Sequence, residues 1–187
     1  MTKRFEFTDT PLGGVKLVHL NPLADSRGYL ERLFSVDELA PLLEGKQIVQ
    51  INHTMTSKRG TVRGMHFQRP PHAEDKLIHC IRGRVFDVAV DLRSHSPTFL
   101  SWHAEILDPL EHNMLFIPAG FAHGFQTLAA DSEMLYLHTA AHHPAAEDGI
   151  NPNDPLVKID WPLEFAEISE RDSLRPVLTA EFSGLSV

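Results

Sequence analysis

Between Arg84 and Leu92 the chain alternates, with Phe86, Val88, Val90 and Leu92 interleaved among Val85, Asp87, Ala89 and Asp91. A period of two marks an extended strand, because successive side chains of a strand point to opposite faces. Further segments read as short strands: Val15–Leu20, Gln47–Thr56, Lys76–Ile81, Trp102–Leu107, Asn113–Ile117, Gly124–Leu128 and Glu133–Thr139. Pro and Gly recur between them throughout the chain. Many short strands broken by tight turns predict an all-β sandwich, jelly roll or closed barrel. One helix is expected early. Ser35 followed by Glu38 makes a capping box, and Val36, Leu39, Leu42 and Leu43 then form an apolar face. Beyond Pro155 strand character fades, and loops with short helical turns are expected.

At 187 residues the chain suits a single domain with a sizeable core. Its 17 basic residues against 25 acidic ones give a net charge of −8, which argues against nonspecific nucleic-acid binding. A phosphorylated ligand would instead need a local cluster of Arg, Lys and His. The 12 histidines make site chemistry plausible without specifying it. A single cysteine, Cys80, excludes an internal disulfide framework and fits a reducing cytoplasm. No stretch approaches the roughly 20 apolar residues that span a bilayer, so no membrane partner is expected. The opening Met-Thr-Lys-Arg-Phe-Glu has no apolar run behind it, so no secretory signal is expected. One oddity stands in the alternating strand: Asp87 and Asp91 share a face with Val85 and Ala89. Either that face is solvated, or Asp87 is buried and paired beside a pocket; we take the second.

Two stretches carry potential chemistry. The first runs Gly60-Thr61-Val62-Arg63-Gly64-Met65-His66-Phe67-Gln68, then Pro70-Pro71 and Glu74-Asp75-Lys76. The second runs Ile117-Pro118-Ala119-Gly120-Phe121-Ala122-His123-Gly124-Phe125, a Pro-x-Gly-x-x-His pattern that resembles the second motif of the cupin superfamily. Arg63 and His66 lie three apart, on opposite faces of a regular strand, and only a local bend at Gly64 would bring them together.

Together with other segments, these stretches resemble the dTDP-4-dehydrorhamnose 3,5-epimerase family. The other segments are Asp25-Ser26-Arg27-Gly28, Gln50-Ile51-Asn52, Gly83 to Arg93, Ser96 to Phe99, Glu133 to Tyr136, Asn153-Asp154-Pro155, Trp161-Pro162 and Ser169-x-x-Asp172. The likeness runs from Asp25 to Pro176. It implies a double-stranded β-helix, the jelly-roll or cupin barrel, with short helices near the termini. On this reading residues 1–25 form an N-terminal arm, 26–140 the barrel, and 141–187 C-terminal loops and short helices. It also implies a cofactor-free, metal-free epimerase that moves protons next to the C4 ketone of a nucleotide-linked 4-keto-6-deoxysugar. Such a reaction needs a base near neutral pKa, a cation or donor at the enolate oxygen, and an acid on the far face of the ring.

By that resemblance His66 is the base and Asp172 the carboxylate that orients it, with Lys76 at the enolate oxygen and Tyr136 as the acid. Arg27, Arg63 and His123 would line the substrate pocket, with Gln50 and Asn52 as polar contacts beside it and His142 shaping the sugar site. The family is generally a homodimer whose N-terminal strands pack across the interface, and a cytoplasmic location is expected. Outside the motifs each residue has a plainer role. A histidine in a barrel often serves only as a structural hydrogen-bonder, Lys76 would be a strand-end charge, Tyr136 a core ring, Asp172 a cap, and the arginines surface charges.

The chain departs from the family at two places. His142 stands where many members carry a tyrosine, and Pro152 where a tryptophan usually precedes Asn-Asp-Pro. Action at C3 only, at C5 only, or as a ketoisomerase of a related sugar therefore stays open. Two rivals of other classes are a noncatalytic sugar-nucleotide binding protein and a metal-dependent cupin using His66, Glu74 and His123.

Overall fold

The computed structural model describes residues 3–187. Fourteen strands and two short helices follow in chain order. They are β1 (Phe5–Asp9), β2 (Lys16–Leu20), β3 (Leu23–Asp25), β4 (Gly28–Leu30), α1 (Val36–Leu43), β5 (Gln50–Thr56), β6 (Thr61–Gln68), β7 (Lys76–Arg82) and β8 (Val85–Asp91). Then come β9 (Trp102–Leu107), β10 (Asn113–Ile117), β11 (Phe121–Thr127), β12 (Ser132–His138), β13 (Glu147–Gly149), β14 (Glu167–Ile168) and α2 (Glu170–Ser173). One sheet has the order β1-β2-β10-β7-β12-β5. The facing sheet has the order β13-β6-β11-β8-β9, with β14 joined to β6. The crossing order, with sequence neighbours split between two packed sheets, is the expected cupin barrel.

Three apolar layers hold it together. Val15, Ile78, Cys80, Val85, Ala89, Leu115, Phe125 and Met134 fill the space between the sheets, with Tyr136 packed against them. α1 lays Leu39, Leu42 and Leu43 on the outer face of the first sheet, against Phe5, Val18, Leu20, Leu77 and Phe116. The C-terminal segment covers the outer face of the second sheet with Ile150, Val157 and Leu185. Burying each such side chain is worth about 1.5–3 kcal/mol.

The alternation in β8 is therefore apolar on both faces: Val85 and Ala89 point inward, Val88 and Val90 outward. The two aspartates on the inner face are fully buried and paired. Asp91 accepts from Arg93, Ser96 and Thr98, and Asp87 from His123.

Several local expectations change. β1 and β2 lie within residues 1–25, yet β2 pairs with β10 and both belong to the first sheet, because Phe5, Val18 and Leu20 are core residues. Only the hairpin β3–β4 stands off as an exposed ribbon. In α1 the Ser35 hydroxyl caps the Glu38 N–H, but Glu38 turns its carboxylate to the Arg4 N–H and the Arg32 side chain instead of closing the box. Val36 is exposed, not part of the apolar face. Among the described residues no helix is long and apolar enough to cross a membrane.

Candidate active site

A cavity of about 820 Å³ opens between the sheets, walled by β5, β6, β7, β11 and β12 and closed on one side by α2. Strand register decides which side chains enter it. In the first sheet Lys76 lies opposite His138, which lies opposite Gln50; one step along, Ile78 lies opposite Tyr136, which lies opposite Asn52. One parity of these strands thus supplies Asn52, Lys76, Tyr136 and His138 to the cavity.

In the second sheet the pairing of β6 with β11 slips. His66 lies opposite His123, yet Arg63 lies opposite Phe125, so β6 spends one more residue than its partner over this interval. That β-bulge reverses the side-chain parity, and Arg63 and His66, three apart, both line the cavity. Two glycines permit it. Gly64 has φ +125°, and a Cβ there would meet Gly124 Cα at 2.5 Å and the His123 carbonyl at 2.9 Å. A Cβ on Gly124 would meet the Met65 sulfur at 2.5 Å and the Arg63 carbonyl at 2.7 Å.

His66 is held by Asp172, whose Oδ1 lies 2.7 Å from Nε2. Asp172 comes from α2, N-capped by Ser169, and its other oxygen accepts from the Gly64 N–H at 3.3 Å. Burial pushes the Asp172 carboxyl up, but the hydrogen bond and charge of His66, with the Gly64 and Ser169 donors, outweigh it and hold the group below its ordinary value. An ionised carboxylate against one ring nitrogen fixes the orientation of the imidazole. Arg171 lies beside the pair, its guanidinium 3.5 Å from His66 Nε2 and bonded to Glu147 at 2.9 Å.

Lys76 is buried, and its Nζ donates to the His66 carbonyl at 3.3 Å and faces Glu74 Oε1 at 3.2 Å. Burial opposes ionisation of Glu74, but His138 and Lys76 together hold its carboxyl below the ordinary value. Tyr136 lies on the neighbouring strand of the same sheet. Its hydroxyl lies 3.3 Å from Thr54 Oγ1, and its ring meets His123 edge-on with centroids 6.0 Å apart. Burial drives the phenol well above its ordinary value, so it stays protonated at neutral pH. His123 is buried against Asp87, its Nε2 within 3.0 and 2.9 Å of the two carboxylate oxygens. Burial lowers the His123 pKa and raises that of Asp87, each against the opposing pull of its partner.

Of the residues expected from sequence, His66, Lys76, Tyr136, Asp172, Asn52, Arg63, His123 and His142 all line this one cavity. Gln50 sits just behind, bonded to Asn52 and to the His142 N–H. Arg27 does not reach it: the side chain is exposed on the β3–β4 turn and paired with Asp25 at 2.5 Å. The sequence reading missed Thr54, Thr56, Gln68 and His138, and it named Glu74 only as a metal ligand. Thr54 and His138 were legible as residues two away from Asn52 and Tyr136 on their strands. Glu147 and Arg171 had no local signal. Among the described residues no three His, Cys, Asp or Glu side chains gather as a metal ion would require, so the metal-ligand set of His66, Glu74 and His123 does not assemble.

The chain is similar to known proteins over most of its length. The family model for dTDP-4-dehydrorhamnose 3,5-epimerase matches residues 9–180. A dTDP-4-dehydrorhamnose 3,5-epimerase from Sinorhizobium fredii is 39% identical over 173 residues, covering 92% of this chain and 89% of the relative. A dTDP-4-dehydrorhamnose 3-epimerase from Streptomyces niveus is 37% identical over 165 residues, 87% of this chain and 79% of the relative. Among solved structures, the Legionella pneumophila dTDP-6-deoxy-D-glucose-3,5-epimerase in complex with dTDP-4-keto-L-rhamnose superposes with a TM-score of 0.90 at 34% identity, covering 98% of this chain and 99% of that one.

Proposed function

The chain belongs to the dTDP-4-dehydrorhamnose 3,5-epimerase family, and on that premise we propose that His66 is the base that removes each proton next to the C4 ketone of its substrate. The protein is a carbohydrate epimerase of the isomerase class. Its substrate is dTDP-4-dehydro-6-deoxyglucose and its product dTDP-4-dehydrorhamnose. His66 takes the C–H proton and becomes an imidazolium held by Asp172, while the C–H electron pair moves into the C4 carbonyl and Lys76 stabilises the enolate oxygen. Tyr136 returns a proton to the opposite face of the same carbon as the carbonyl re-forms. Solvent then takes the proton from His66 and restores that of Tyr136. One proton leaves and one arrives, with no net oxidation, so the chemistry calls for no electron acceptor. Arg63, Asn52, His123 and His142 bind the nucleotide sugar around these groups.

The observation that carries this reading is the convergence of the His66–Asp172 couple, Lys76 and Tyr136 on one cavity from opposing sheets. Incubation with the 4-keto nucleotide sugar in heavy water tests it. Deuterium at both C3 and C5 is expected. Label at a single carbon would narrow the activity to a monoepimerase, and binding without exchange would refute the catalytic assignment.

The working form is a cytoplasmic homodimer. Supporting this, β5 is the open edge of the first sheet and carries exposed Ile51 and Met55, and the stand-off hairpin exposes Leu23, Tyr29 and Leu30. Light scattering reads the mass; a monomer at micromolar concentration would refute the dimer.

A further inference from the structure

A set of groups with no role in the scheme above lies beside Lys76. The ammonium donates to the His66 carbonyl at 3.3 Å and faces Glu74 Oε1 at 3.2 Å. An ammonium has three donors, so with these contacts made a single N–H is left to face the cavity. Glu74 is held in turn from behind. Its Oε2 accepts from Gln68 Nε2 at 2.7 Å. Gln68 is 4% exposed, shares its other N–H between the His72 and Ala141 carbonyls, and accepts from the His143 N–H at 2.6 Å. On the remaining side of Glu74 Oε2, at 3.5 Å, stands Nδ1 of His138. This imidazole is 9% exposed and lines the cavity, and among the described residues its Nδ1 has no hydrogen-bond partner. Its other nitrogen lies 3.4 Å from the Asn52 amide nitrogen. With that amide donating to Nε2, the ring proton falls on Nδ1 and faces the carboxylate. Gln68 then donates to Glu74, the Lys76 ammonium faces it, and the Nδ1–H of His138 points at it from 3.5 Å, surroundings that suit an ionised carboxylate.

We infer that Glu74, backed by Gln68 and His138, is a positioning residue for the epimerisation, aiming the one uncommitted N–H of Lys76 at the ketone oxygen. This rests on the assignment of Lys76 to the enolate oxygen given above. The physical requirement is aim. A donor stabilises a developing oxyanion only when it is already placed where the charge will appear, and a displacement of about 1 Å can cost roughly 100-fold in rate. A free lysine chain has too many rotamers to supply that placement unaided. A carboxylate beside the ammonium also offsets part of its charge.

The test compares wild type, Glu74→Gln and Glu74→Ala in the full chain by steady-state kinetics, solvent deuterium exchange and thermal melting. The inference expects kcat to fall in that order, by about 10- to 100-fold for Glu74→Ala. KM should stay within about threefold, because the sugar is bound by other residues. Glu74→Gln falls between, since an amide oxygen satisfies one donor while its NH₂ opposes another. His138→Leu, which removes one donor without touching Lys76, should lower kcat several-fold at unchanged KM, and it keeps the test open if Glu74→Ala does not fold. Unchanged kcat in the Glu74 variants, or a loss confined to KM, would overturn the inference. Absence of exchange in the wild type would instead overturn the functional reading beneath it.

Discussion

Gly64→Ala separates the fold's contribution from that of the catalytic groups, because it touches no substrate-facing side chain. The new methyl carbon would lie 2.5 Å from Gly124 Cα and 2.9 Å from the His123 carbonyl, where carbon atoms rest about 3.5–4 Å apart. Neither strand can simply yield: β11 is paired along its whole length with β8, and β6 is held on its other edge by β13 and β14. Two costs add. An alanine at φ +125° occupies a region that is nearly glycine-only, worth about 1–3 kcal/mol. Overpacking adds about 1–3 kcal/mol. The sum, about 2–6 kcal/mol, lowers the melting temperature of a domain this size by roughly 5–20 °C. Relief by separating β6 from β11 moves His66 relative to Lys76 and Tyr136, so kcat in the surviving folded protein should fall by about 10- to 100-fold. Scanning calorimetry and deuterium exchange read the two effects. A melting temperature within about 2 °C of wild type together with full kcat would refute the claim that a closely packed bulge sets the site.

Tyr136→Phe keeps the ring in its core contact and removes only the hydroxyl. Melting should change little while epimer formation falls by about 100- to 10,000-fold, with His66-dependent exchange surviving; equal loss of exchange would remove Tyr136 from its assigned face. Asp172→Asn should lower kcat on the scale of about 10,000-fold seen for other carboxylate–imidazole couples. Because the Asp172 carboxyl sits below its ordinary value, the stability it contributes is full above about pH 4 and is lost as pH falls through the lowered value. The variant should therefore show a flatter loss of melting temperature in acid, and an unchanged acid limb would argue against the pairing. Asp87→Ala strands the buried His123 ring and should cost about 1–3 kcal/mol, whereas Asp87→Asn keeps an acceptor and costs less; identical melting for both would mean that the bond carries no stability.

Residues close together in the chain determined much of this protein. The alternation in Arg84–Leu92 marked a strand, and the choice of a buried, paired Asp87 over a solvated face agrees with its bond to His123. The motifs around His66 and His123, in family order, pointed to the family and to the residues proposed for catalysis, and Ser35 marked the start of the helix. The remainder was decided in three dimensions. Parity on an ideal strand puts Arg63 and His66 on opposite faces, and only the slip between β6 and β11, a property of two paired strands, turns them to one side. Asp172 is 106 residues from the imidazole it holds. Arg171 reaches His66 across 105 residues, and it carries Glu147 with it into the cavity wall. The exposure of Arg27 and Val36, and the place of β1 and β2 in the first sheet, also depend on which apolar surface is left to cover once the sheets have met. Short-range periodicity reports a residue's face and partner type. Which faces meet, and at what register, follows from burying them all at once.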